Sequence, residues 1–128
     1  MITVVVADDH TVLRDGLRYL LEAQGDIQIV GMAANGQEAV EQAVRYCPDV
    51  VVMDISMPVM NGIEATKLIC KACPSTKIVV LSMHHTAEYM QRALEAGAVG
   101  YLLKDSAGRE LVTAIRDLKH GKSYFSQK

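Results

Sequence analysis

The chain has 128 residues, half of them apolar, and its 13 Lys plus Arg against 15 Asp plus Glu leave a formal net charge of −2. That length and composition fit one folded domain with a single core and exclude a disordered segment, a repeat array and a membrane span, since no apolar run approaches about 18 residues. The charge balance lacks the basic footprint that binding to a phosphate backbone needs, and the start "MITVVVADDH" carries no basic region or cleavage site of secretory type, so cytosol is the expected compartment.

Read in chain order, apolar runs of strand length fall at residues 2–7, 27–32, 50–53, 78–81 and 99–103. Each is followed by apolar residues at helical spacing: Val12, Leu13, Leu17, Leu20 and Leu21; Ala39, Val40, Ala43 and Val44; Ile63, Leu68 and Ile69; Met90, Ala93 and Leu94; Leu111, Val112, Ile115 and Leu118. Five strands alternating with five helices predict βαβ crossovers and a parallel sheet covered on both faces, which accounts for the unbroken Val and Ile runs. The expectation is an α/β doubly wound domain over residues 1–119, with 120–128 ("HGKSYFSQK") as a polar, basic tail or the start of a linker.

Cys47, Cys70 and Cys73 are too few, and odd in number, for a disulfide framework. Cys70 and Cys73 spell C-x-x-C, but redox pairs of that form start a helix, where the positive end of the dipole favours the thiolate. This pair ends a helical pattern just before Pro74, which points to packing and helix-end roles.

In a parallel sheet all strand carboxyl ends share one edge, and ligands bind there where strand order reverses. Asp8 and Asp9 follow the first run, Asp54 the third, Ser82 the fourth and Lys104 the fifth. Singly, such residues cap helices, form turns or sit solvated. Together they bring three carboxylates, a hydroxyl and an ammonium to one edge. Carboxylates that close need raised pKa values or a cation, and oxygen-only ligands suit Mg2+, which also accepts a phosphoryl oxygen. Lys104 adds positive charge suited to the same group, so the set can neutralise a phosphoryl group arriving at a carboxylate. His10, His84 and His85 raise a transition-metal alternative, which the hard oxygen ligands disfavour.

The motifs "VVVADDH", "VVMDISMPVMNG", "VVLSMH" and "GAVGYLLKD" resemble, in order and over nearly the whole chain, the receiver domain of two-component response regulators. "ADDHTVLRDGLRYLL" and "GAVGYLLKDS" are similar in particular to the NarL/FixJ (LuxR-type) class, whose members usually carry a helix-turn-helix output domain. The resemblance implies a flavodoxin-like (βα)5 fold with strand order 2-1-3-4-5. It implies that Asp54 accepts a phosphoryl group from a sensor histidine kinase, and that Mg2+ is held by Asp8, Asp9, Asp54 and the backbone carbonyl of Ser56. Lys104 would pair with Asp54 and then with the phosphoryl group. Ser82 would turn inward to bond it, Tyr101 would follow into the vacated space, and His84 would influence phosphoryl lifetime. The output would be the face of the fourth helix, fifth strand and fifth helix, and DNA would be contacted only through an output domain. A homodimer would form either through the first and fifth helices, which carry Arg14, Arg18, Arg116 and Lys119, or through the output face itself, and the sequence does not choose between them. Asp105 stands where many receivers have Pro, so the cis-Pro peptide of those receivers cannot be assumed at that loop, although Lys-Asp there is usual in the NarL/FixJ class.

Three other readings compete. A flavin-binding electron carrier would need a Ser/Thr/Gly-rich phosphate loop where "ADDHTVLRDG" places two carboxylates. A phosphatase with an Asp nucleophile usually carries a second Asp at the position of Ser56. A stand-alone receiver that signals by docking is the alternative within the family; the basic end and the class resemblance favour a receiver followed by an output domain.

Overall fold

The computed structural model describes residues 1–83 and 87–125; His84 and His85 lie outside the described residues. The elements are β1 (Ile2–Ala7), α1 (Thr11–Glu22), β2 (Ile27–Ala33), α2 (Gly36–Tyr46), β3 (Val50–Asp54), α3 (Gly62–Ala72), β4 (Lys77–Ser82), α4 (Ala87–Ala96), β5 (Gly100–Leu103), a 3-10 turn at Lys104–Ser106, α5 (Ala107–Lys119) and a short β6 (Tyr124–Phe125). All strand pairs are parallel, in the order β2-β1-β3-β4-β5-β6. The first five strands stand as expected. The sixth comes from the segment read as a tail: the Tyr124 amide donates to the Val99 carbonyl and the Tyr124 hydroxyl to Glu110 on α5. A two-residue strand lies below the length at which periodicity is visible.

Period-2 alternation divides the core between the two sheet faces. Val4, Val6, Val50, Val52, Val79, Leu81 and Leu102 pack with Leu17 and Leu21 of α1 and Leu111, Ile115 and Leu118 of α5. On the other face, Val5, Val51, Met53, Ile78, Val80 and Tyr101 pack with Ala39 and Ala43 of α2, Ala65 and Ile69 of α3 and Ala93 of α4. Each large aliphatic side chain buried this way contributes about 1.5–3 kcal/mol.

Two Asx caps start α2 and α3: the Asn35 side chain accepts from the Glu38 amide and that of Asn61 from the Glu64 amide. At the amino edge of the strands, Asp49 accepts from the Thr3 amide and from Lys119 at the end of α5, while Arg116 makes a two-pronged pair with Asp26 at 2.9 and 3.0 Å.

The carboxyl edge is shaped by two glycines. The Gly62 amide donates to the Ile55 carbonyl and the Gly36 amide to the Met60 carbonyl, so the loop after Asp54 is held at both ends. A Cβ on Gly62 would collide with the Asp54 carbonyl oxygen, and one on Gly36 with the Met60 carbonyl oxygen. Backbone meets backbone at both points and cannot rotate away. Gly62→Ala is therefore expected to cost about 1–3 kcal/mol in urea unfolding. Gly16→Ala, on an exposed turn of α1 with open space around it, should stabilise by about 0.5–1 kcal/mol.

Candidate functional site

Strand order reverses at β1, which feeds β2 on one side and neighbours β3 on the other, so the crevice between β1 and β3 opens at their carboxyl ends. Asp8 and Asp9 follow β1, Asp54 is the last residue of β3, and Ser82 is the last of β4. Asp8, Asp54 and Ser82 are buried; Asp9 is exposed at the rim. Lys104, in the turn after β5, reaches over this crevice. Its Nζ lies 3.0 Å from Asp54 Oδ2 and 3.4 Å from Asp8 Oδ2, with its side chain only 10% exposed. The convergence expected from strand ends is thus present for Asp8, Asp9, Asp54 and Lys104.

Burial is the larger influence on Asp54. It raises that carboxyl from the ordinary value of 3.8 to about 6; the Asp8 charge pushes the same way, while Lys104 and the Ser56 amide, which donates to Asp54 Oδ1 at 3.2 Å, pull it down. Among the described residues, Asp8 Oδ2 and Asp54 Oδ2 are buried without a well-aligned hydrogen-bond donor, although Lys104 is close to both. Two such oxygens in one crevice call for a further positive group. Carboxylate oxygens of Asp8, Asp9 and Asp54, with a nitrogen of His10, all lie within 4.8 Å of one another, so the donors present fit a divalent cation. Being mostly carboxylate, the set suits Mg2+ better than a soft transition metal.

His10 is the neighbour whose contacts the sequence did not reveal. Its Nδ1 sits 3.1 Å from Asp8 Oδ1, 3.3 Å from Asp9 Oδ1 and 3.2 Å from Lys104 Nζ, and its amide donates to Asp8 Oδ1 at 2.8 Å. The imidazole therefore borders the acidic cluster. Arg14, one turn into α1, donates to the Asp8 carbonyl at 3.0 Å and buttresses the same corner. Its spacing to Asp8 was visible in the sequence; its direction was not. Arg18 pairs with Glu22, so Arg14, Arg18, Arg116 and Lys119 all have partners within the chain.

Ser82 and Tyr101 lie on adjacent strands, with Val80 opposite Tyr101 and Ser82 two residues beyond on the same face. The resemblance implies a ring that moves inward; here it is already inside, 1% exposed. Burial pushes the Tyr101 phenol up, while hydrogen bonding with Ser82 acts in the opposite direction.

The sequence profile of the response regulator receiver domain matches residues 4–116. The chain belongs to that family. Among curated relatives it is 45% identical over 124 residues to the transcriptional regulatory protein YxjL of Bacillus subtilis, covering 97% of this chain and 57% of that protein. It is 44% identical over 128 residues to the transcriptional regulatory protein LiaR of the same organism, covering 100% of this chain and 61% of that one. Its fold is similar to that of a LuxR-family two-component response regulator from Aurantimonas (TM-score 0.92, 35% identity, covering 97% of this chain and 89% of that one). It also resembles the signal receiver domain of the putative response regulator NarL from Mycobacterium tuberculosis (TM-score 0.90, 35% identity, covering 94% and 98%). These relatives place it in the NarL/FixJ (LuxR-type) class. The chain spans somewhat more than half the length of the curated relatives it matches. No helix among the described residues is long and apolar enough to cross a membrane.

The raised Asp54 pKa carries a signed consequence. A carboxyl held above its unfolded value binds a proton more tightly when folded, so its penalty is absent below about pH 4, grows toward pH 6 and is complete above it. In chelator-treated protein, Asp54→Asn should raise stability by about 1–2 kcal/mol at pH 7, with the gain fading toward pH 4. Lys104→Met should do the reverse at pH 7. Urea midpoints across that pH range check both, and a destabilised Asp54→Asn would contradict the crowding.

Proposed function

We propose that this receiver accepts a phosphoryl group on Asp54 from a sensor histidine kinase and passes the signal to an output partner through the surface of α4, β5 and α5. The observation that carries the reading is the buried Asp54 carboxylate with Asp8 beside it and Lys104 Nζ at 3.0 Å. An Asp54 oxygen attacks phosphorus, and the bond from phosphorus to the donor imidazole nitrogen breaks with its electron pair staying on that nitrogen. Asp54 must be unprotonated to attack, so acceptance should fall as pH drops through its pKa. Lys104, already at the carboxylate, moves its charge onto the arriving phosphoryl oxygens. Asp8, Asp9, Asp54 and the backbone carbonyl of Ser56 would hold Mg2+, which when bound supplies charge neutralisation for the transferring group.

Ser82 is placed to exchange partners. Its hydroxyl bonds Tyr101 in this conformation; drawn to a phosphoryl oxygen, it would release the phenol and shift the balance between arrangements of the ring. The curated relatives are transcriptional regulators of greater length, which supports an output in transcription through a DNA-binding domain, in a cytoplasmic setting. Phosphorylation would then change self-association of the receiver, because dimerising makes the second DNA contact of a two-fold site intramolecular.

Incubation with a small phosphoryl donor and Mg2+ should place one phosphoryl group on the chain, mapped to Asp54. Chelation or Asp54→Asn should abolish it, and Asp9→Asn should shift it to higher Mg2+ concentration. Unchanged labelling of Asp54→Asn would refute the assignment. For the switch, Ser82→Ala should retain labelling while the Tyr101 ring resonances no longer respond to it; a wild-type response in that variant would disprove the coupling.

A further inference from the structure

The cysteine that Cys73 meets is not its C-x-x-C neighbour. Cys70 faces the other way, its Sγ so close to Gly97 after α4 that a Cβ there would collide with it. Cys73, buried at the C-cap of α3, instead brings its Sγ to 3.7 Å from that of Cys47, the C-cap of α2. Cys47 is exposed and holds a left-handed backbone, with φ of 43°. Both thiols are aimed at the same end of α2: Cys47 Sγ donates to the Val44 carbonyl at 3.8 Å and Cys73 Sγ to the Ala43 carbonyl at 3.6 Å. Losing these weak donors costs little, because the Ala43 carbonyl keeps the Cys47 amide at 2.7 Å and Val44 is exposed.

We propose that Cys47 and Cys73 form a redox modification site, an intramolecular disulfide latching the carboxyl end of α2 to that of α3 when a hydroperoxide is present. The sulfurs must approach from 3.7 Å to about 2.05 Å to form the bond. Exposure assigns the order of events. Cys47 loses its proton and attacks the terminal oxygen of the hydroperoxide. The O–O bond breaks, leaving a sulfenic acid on Cys47, and the departing alkoxide or hydroxide takes a proton. Cys73, shielded from solvent, then attacks the Cys47 sulfur; the S–O bond breaks, and the Cys73 proton leaves with the hydroxyl as water. Two thiols and one hydroperoxide become one disulfide, one alcohol (water for hydrogen peroxide) and one water.

The setting suits a latch and not a catalyst of exchange. Helix carboxyl ends disfavour thiolates, and burial together with the Cys47 neighbour pushes the Cys73 thiol up. A pair whose reduced form gains no thiolate stabilisation oxidises slowly but holds its disulfide firmly. The bond closes a loop from 47 to 73 that contains β3, Asp54 and α3, while lying at the opposite edge of the sheet from the acidic cluster. Oxidation should therefore rigidify the acceptor segment without blocking it.

The test uses the reduced chain treated with hydrogen peroxide. Titratable thiols should fall from three to one, non-reduced peptide mapping should show Cys47 joined to Cys73, and the urea midpoint should rise, all reversed by dithiothreitol. Cys70→Ala should keep the crosslink; Cys47→Ser and Cys73→Ala should each abolish it and the midpoint shift. Thiol loss without a Cys47–Cys73 peptide, a crosslink through Cys70 or between two chains, no thiol loss, or a linked chain with an unchanged midpoint would overturn the proposal.

Discussion

A carboxylate at the end of a fully buried central strand is costly to ionise, and Asp54 is placed there with a second buried carboxylate, Asp8, across the same crevice. One ammonium, that of Lys104, sits within 3.4 Å of both and offsets the charge only in part. The rest of the carboxyl edge follows from holding this arrangement. Gly36 and Gly62 pin the loop after Asp54, the α1 amino end approaches the acids with its positive dipole, and Arg14 ties α1 back to the Asp8 carbonyl. A corner kept deficient in positive charge suits the cation and the phosphoryl group proposed for it.

The opposite edge has a different character. There Asp49 joins β1, β3 and α5 through Thr3 and Lys119, and the Arg116–Asp26 pair ties α5 to the turn before β2. These contacts are exposed or partly so and contribute modestly each, yet they cross the sheet and anchor α5, one wall of the proposed output surface. The scaffold is anchored at one edge and electrostatically unbalanced at the other, the carboxyl side, toward which Ser82 and Tyr101 share a face. The thiol pair belongs to the anchored edge, so it and the acidic cluster lie at opposite ends of the same segment.

The sequence by itself determined the alternation of strands and helices, the parallel sheet, and the convergence of Asp8, Asp9, Asp54 and Lys104, because each depends on local periodicity and on the rule that parallel strands deliver their carboxyl ends to one edge. The family resemblance supplied the roles expected of these residues. Tertiary structure alone decided what depends on side-chain direction across elements: the His10 ring beside Lys104 and the acids, the Tyr101 ring already inside, and Cys73 facing Cys47 instead of Cys70. It also decided β6, whose two residues are stabilised by Val99 and Glu110 and by no pattern of their own. Spacing along a chain specifies which residues share an edge or a face; which atoms meet is set by how helices roll against the sheet, and that follows from the packing of all the core side chains together.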